Sequence, residues 1–195
     1  MLQPPSQTPT RLRALPIKET YLAIFLASFN YTMDSEDASR SGIVTSEPLG
    51  GKARFGLNSI AHPELPKEFW TMPAADALVI AEKEYRVWYW NPCNLDACVE
   101  QHLANKIFDD AFWMGVGRAG RWAQMALNTV IEDVLLTVDG VLGPKSWEAL
   151  NCVESLSLRT AMVDLVVAQV RESAANNPAI AIIKDSLLAR AKKLG

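Results

Sequence analysis

The stretch Ser35 to Gly56, SEDASRSGIVTSEPLGGKARFG, carries two glutamates, Glu36 and Glu47, with ten residues between them. Lys52, Arg54 and the pair Gly50-Gly51 complete its chemistry. Two carboxyl groups facing one space can divide acid–base work. A desolvated acid keeps its proton and can donate it, while an ionised one activates water or steadies a developing cation. An isolated glutamate is most often a solvated surface group, and spacing alone does not choose between these readings. Placement favours Glu36, which follows the apolar run TYLAIFLASFNYTM and precedes a Gly-rich segment. There a helical body would meet a small β-flap. Asp37 is expected to cap a turn beside it. Glu47 has an equally good reading as a hairpin-end acid paired with Lys52 or Arg54.

Aromatic residues are the second concentration. The run YRVWYW sets four rings between Tyr85 and Trp90, and Trp113 and Trp122 follow. Rings at helical spacing are usually core. Tyr85, Trp88, Tyr89 and Trp90 cannot all share one helix face, however, so at least one is expected in solvent or along a groove. Exposed rings suit sugars, which offer C–H faces and hydroxyl edges. The groove candidates are Arg54, Asn58, His62, Tyr85, Trp90 and Trp113, each with ordinary packing as the competing reading. His62 precedes Pro63 with no ligand spaced near it, so no metal is expected. Cys93, Cys98 and Cys152 form no zinc pattern with His62 and His102 and read as buried or incidental thiols. No cofactor is implied.

The elements that must hold these groups are mainly helical. The 195 residues are 49% hydrophobic and 21% charged with a net charge of -3, enough for one domain with a sizeable core. Lys and Arg are scattered apart from the solvated-looking tail RAKKLG, which argues against nucleic acid. No apolar run is long enough to span a bilayer, and residues 1–16, with four prolines, read as a flexible arm without a signal-peptide core. Apolar positions predict a first helix from Ile17 to about Met33, then a small β-hairpin or sheet across 35–60. A helix opened by Thr71, with Pro73 in its first turn, should run to about Trp90. Leu103 to Met114 marks another helix, stopped at the Gly-Val-Gly that follows. A shorter one should end at Asn128 as its cap. Gly143-Pro144 opens the next, Ser157 is expected to cap its successor, and Asn177-Pro178 starts the last.

The order of SEDASRSGIVTSEPLGGKARFGLNSIAHPELP, AEKEYRVWYW, HLANKIFDDAFWMGVGRAGRWAQMALN and TVDGVLGPKSWEALN resembles glycoside hydrolase family 108, over about Ile17 to Asn151. Those proteins are bacterial and phage N-acetylmuramidases with a lysozyme-like fold. The resemblance implies a mainly α chain with a small β-hairpin or sheet near the N-terminus, a lysozyme-like α+β fold. It implies a catalytic region over 17–128 and a C-terminal, peptidoglycan-binding-like helical region over 129–195 packed into the same globule. It aligns the family's catalytic acid with Glu36 and its acidic-Pro-Gly-Gly segment with Glu47 to Gly51. Three positions depart from the pattern: Asp37-Ala38-Ser39 replaces two glycines and a Tyr, Ala53 replaces a Thr, and Trp113 replaces an Asn.

The expected activity is hydrolysis of the β-1,4 bond between N-acetylmuramic acid and N-acetylglucosamine. Glu36 would be the general acid and Glu47 the second carboxylate. The competing expectation is a catalytically inactive peptidoglycan-binding module. Peptidoglycan glycan strands are the expected partner of a monomer with no membrane span and no nucleic-acid ligand. The protein would be made in the cytoplasm and reach the periplasm or cell wall by holin-dependent or other non-classical release.

Overall fold

A computed structural model describes residues 22–47, 50–131 and 136–195. Helix α1, Phe25–Glu36, buries Phe25, Phe29 and Met33 at a four-residue repeat, with Ser28 and Thr32 between them. Residues 22–24 are not helical, so α1 starts later than the apolar pattern predicts. The Ala23 N–H donates to Cys98 O at 2.8 Å, and the Gln101 amide binds both the N–H and the C=O of Ile24. These partners hold the segment extended where a helix would have begun. The helix then runs past Met33 and ends with Glu36. The expected arm, residues 1–16, lies outside the described residues.

Three short antiparallel strands follow: β1, Thr45–Ser46; β2, Lys52–Arg54; and β3, Leu57–Asn58, in the order β1-β2-β3. Ala53 sits at the centre, opposite Thr45 on one side and Asn58 on the other. Phe55 and Gly56 join β2 to β3, both at positive φ (50° and 73°). Positive φ at both central residues gives the turn a twist that suits a two-residue hairpin, and glycine takes it without strain. The Tyr85 hydroxyl donates to Phe55 O at 2.9 Å and fastens this turn to the helical body.

Helix α2, Ala74–Tyr85, runs directly into a π-helical turn, Arg86–Trp90. Pro73 stands at its N-cap position, and the Thr71 hydroxyl turns back to Glu68 O, so Thr71 does not open the helix. Helix α3, Gln101–Met114, is the axis of the fold; α1 and two later helices pack against it. Gly115 at φ 94° stops it. Helix α4, Val116–Val130, turns Ala119, Trp122, Ala123 and Ala126 inward as the periodicity predicts. It passes through Asn128, which does not cap it. That amide pairs with both backbone groups of Leu136.

Helix α5, Pro144–Leu150, opens at the Gly-Pro step. Helix α6, Ser155–Asn176, is capped by Glu154, which accepts the N–H groups of Leu156 and Ser157; a carboxylate one turn earlier takes the role expected of Ser157. Asn177 caps α7, Pro178–Ile182, and a break at Ile183 separates it from α8, Lys184–Ala191. The architecture is mainly α with one small sheet near the front, the lysozyme-like α+β arrangement expected from the sequence. No helix among the described residues is long and apolar enough to cross a membrane. Cys93, Cys98 and Cys152 are all free, the first two buried; burial pushes both buried thiols up to about 12.

Candidate active site

Glu36 is placed by the last turn of α1 and lines two adjoining cavities. On the sheet side a cavity of 490 Å³ is bounded by Asp37, Ser41, Glu47, Ala53 and Arg54. On the helical side a cavity of 660 Å³ is bounded by His62, Tyr89, Trp113, Leu187 and Arg190. Glu36, Gly56 and Asn58 belong to both, so the two form one groove with Glu36 at its waist. Only 18% of the Glu36 side chain is exposed. That is far less than the solvated surface acid which is the commonest fate of an isolated glutamate.

The loop after Glu36 is organised by Asp37. Its carboxylate accepts from the backbone N–H groups of Gly42 (2.7 Å) and Ser41 (3.1 Å) and from the hydroxyls of Ser39 and Ser41. Partial burial pushes this carboxyl up, but those donors together hold it below its usual range. Arg40 folds over the same loop and pairs with Asp34 at 2.7 Å. The expected turn cap is therefore present, and it shapes one rim of the groove.

The sequence-derived candidates divide into three groups. Glu47 lines the same cavity as Glu36, and its backbone N–H donates to Gly51 O at 3.2 Å in the turn. Asn58 and His62 line the groove. Asn58 accepts the N–H of Ile60, and His62 stacks on Trp88 at 4.2 Å with rings 7° apart. The Tyr89 hydroxyl lies 3.1 Å from His62 Nε2, and Glu64 lies 3.5 Å from Nδ1. Burial, together with the nearby Glu64 and Glu36, pushes the Tyr89 phenol up to about 12, so it stays protonated.

Arg54 touches the cavity, but its guanidinium is committed. It donates to the carbonyls of Gly42, Phe69 and Met72, tying the sheet to the α2 side of the fold. Tyr85 and Trp90 are fully buried, which corrects their reading as groove residues. The π-helical turn rotates Trp90 into the core against Phe25, where its indole N–H reaches Asp96 at 2.8 Å. Tyr89 is the ring of this run that lines the groove, while Trp88 stacks on His62. Trp113 does line the groove, and its face is turned to Arg190.

Two residues of the site gave no signal of this role in the sequence. Arg190, in the stretch that reads as a solvated tail, donates from Nη1 to Glu36 Oε1 and from Nη2 to Asp109 Oδ1 at 2.8 Å. Burial opposes its charge, yet the two carboxylates hold it firmly protonated. Asp109 is 3% exposed, and its neighbour Asp110, fully buried, pairs with Lys106 at 2.8 Å. The adjacent acids in FDDAFW thus take different cations, Asp109 the guanidinium of Arg190 and Asp110 the ammonium of Lys106. Among the described residues no cluster of three or more His, Cys, Asp or Glu side chains could hold a metal ion.

No protein-family model matches the chain, and no curated protein matches it. Among solved structures it is similar to Brucella abortus SagA, with 18% identity and a TM-score of 0.57 over 86% of this chain and 95% of that one. At this identity the likeness bears on the fold alone.

Proposed function

We propose that this protein is a peptidoglycan hydrolase, an N-acetylmuramidase cleaving the β-1,4 bond between N-acetylmuramic acid and N-acetylglucosamine. The observation that carries the reading is the position of Glu36, largely buried at the waist of an open groove. A glycan strand lying along that groove would present a linkage to its carboxyl. The ordered resemblance to glycoside hydrolase family 108 supplies the substrate class, and the fold is compatible with it.

Glu36 protonates the glycosidic oxygen as the bond breaks and positive charge develops on the sugar. Glu47, on the same cavity, steadies that charge or activates water. His62, Tyr89 and Asn58 line the path of neighbouring sugars. Release through a holin or another non-classical route would bring such an enzyme to the wall.

Purified protein incubated with sacculi should release new reducing ends, and Glu36→Gln should abolish that release with an unchanged circular dichroism spectrum. Full activity in Glu36→Gln would remove Glu36 from the mechanism. A second reading, a non-catalytic wall-binding module, draws on Ala53, which presents a methyl to the cavity where a hydroxyl could have oriented water. It predicts sedimentation with sacculi and no new reducing ends.

A further inference from the structure

We propose that Arg190 is a positioning residue for Glu36, so that the C-terminal helix α8 is part of the site. The inference rests on the reading of Glu36 as the reacting acid. Three groups hold the guanidinium without any help from Glu36. Asp109 takes two of its donors, Nε at 3.2 Å and Nη2 at 2.8 Å. The rings of Phe112 and Trp113 lie 5.6 Å and 5.4 Å from Cζ, within reach of cation–π attraction. Asp109, Phe112 and Trp113 stand at i, i+3 and i+4 on α3, a single helix face. A bidentate carboxylate and two rings fix the plane of the guanidinium and leave Nη1 directed at Glu36.

Helix α8 is seated along α6, with Leu187 and Leu188 half-buried against the core, and just past its end Arg159 donates to Leu194 O while the Gly195 N–H donates to the Tyr31 hydroxyl. Ala191 is its one buried residue, and Lys193 just beyond it reaches Ser35 Oγ at 2.6 Å. Within α8, Arg190 is the side chain that reaches the end of α1, at Glu36. It also sorts the two oxygens of the acid. Oε1 is taken by Nη1, while Oε2 lies towards Gly56, where both cavities meet. Oε2 is the oxygen free to meet a substrate. A carboxyl held in one rotamer stays within reach of the bond it must protonate, whereas a displacement of about 1 Å can cost on the order of 100-fold in rate.

Lysine cannot reproduce this arrangement, because a point charge cannot fork to Asp109 and still reach Glu36. Arg190→Ala should lower kcat on soluble peptidoglycan fragments by about 100-fold with KM within about twofold, as expected for lost alignment of a reacting group. Arg190→Lys should recover part of the loss, and added guanidinium should partly rescue the Ala variant. Unchanged or raised activity in Arg190→Ala would overturn the proposal, as would a loss confined to KM or insensitive to guanidinium. A second measurement needs no turnover: side-chain relaxation of labelled Glu36 should show a rigid methylene in the wild type and a mobile one in Arg190→Ala. Equal mobility in both would overturn it. If the wild type releases no reducing ends, the hydrolase reading fails by itself, and the relaxation measurement still decides the role of Arg190.

Discussion

Gly56 lies so close to Glu36 that a β-carbon added to it would come within 2.9 Å of Oε2. The same atom would meet Phe112 Cζ and the Tyr85 hydroxyl at 2.9 Å, and the residue already sits at φ 73°. Gly56→Ala combines backbone strain with overpacking, so it should destabilise the protein by about 1–3 kcal/mol. It should also displace the acid. Thermal melts check the first effect, and reducing-end release, expected to fall at least tenfold by misalignment, checks the second.

His62 offers a prediction about binding alone. Its ring lies parallel to Trp88 and is fixed by the Tyr89 hydroxyl. His62→Ala should raise KM for soluble glycan fragments by roughly tenfold with little change in kcat, the pattern of a contact made equally in ground and transition states. Initial rates over a range of substrate concentrations separate the two constants.

Asp37 predicts a link between the rim loop and pH. Its carboxyl is held below the usual range, so its contribution is present above the unfolded-state value near 3.8 and is lost as pH falls through the lower folded value. Asp37→Ala leaves the N–H groups of Ser41 and Gly42 without their acceptor and should cost about 1–2 kcal/mol at neutral pH. Denaturant titrations at pH 7 and pH 3 should show the wild-type advantage shrinking at the lower pH.

Asp110 should act in the opposite sense. Burial pushes its carboxyl up to about 6 in spite of Lys106, and Asp109 adds to the rise. Between the ordinary value of 3.8 and about 6 the folded chain keeps a proton that the unfolded chain has released. Its contribution to stability is therefore greatest below that window and is lost as pH rises through it. Asp110→Asn should flatten that part of the stability profile. Lys106→Met, which leaves the buried carboxyl without its cation, should destabilise by about 3–5 kcal/mol at neutral pH.

What the sequence made legible was local. Glu36 stood out because an apolar run ended beside it and glycines followed, and the inward face of α4 could be read from Ala119, Trp122 and Ala123. The boundaries that shifted were set by distant partners. Gln101 unwinds the start of α1, and Leu136 claims Asn128 from a capping role. Trp90 could not be told from Trp88 because the π-helical turn changes the period that assigns faces. Arg190 was invisible for another reason: the exposed lysines Lys192 and Lys193 follow it closely in sequence, while the groups that bury it belong to α1 and α3.

Arg190 and Glu36 are 154 residues apart in the chain, which bears on when the site comes into being. Domains tend to fold as their chain emerges during synthesis, so α1, the sheet and α3 can assemble while α8 is still being made. Until α8 docks, Asp109 and Glu36 both lack the guanidinium that they share in the folded chain. A charge pair of such long range makes completion of the groove a late event, paced by closure of the longest loop in the site rather than by formation of the helices themselves.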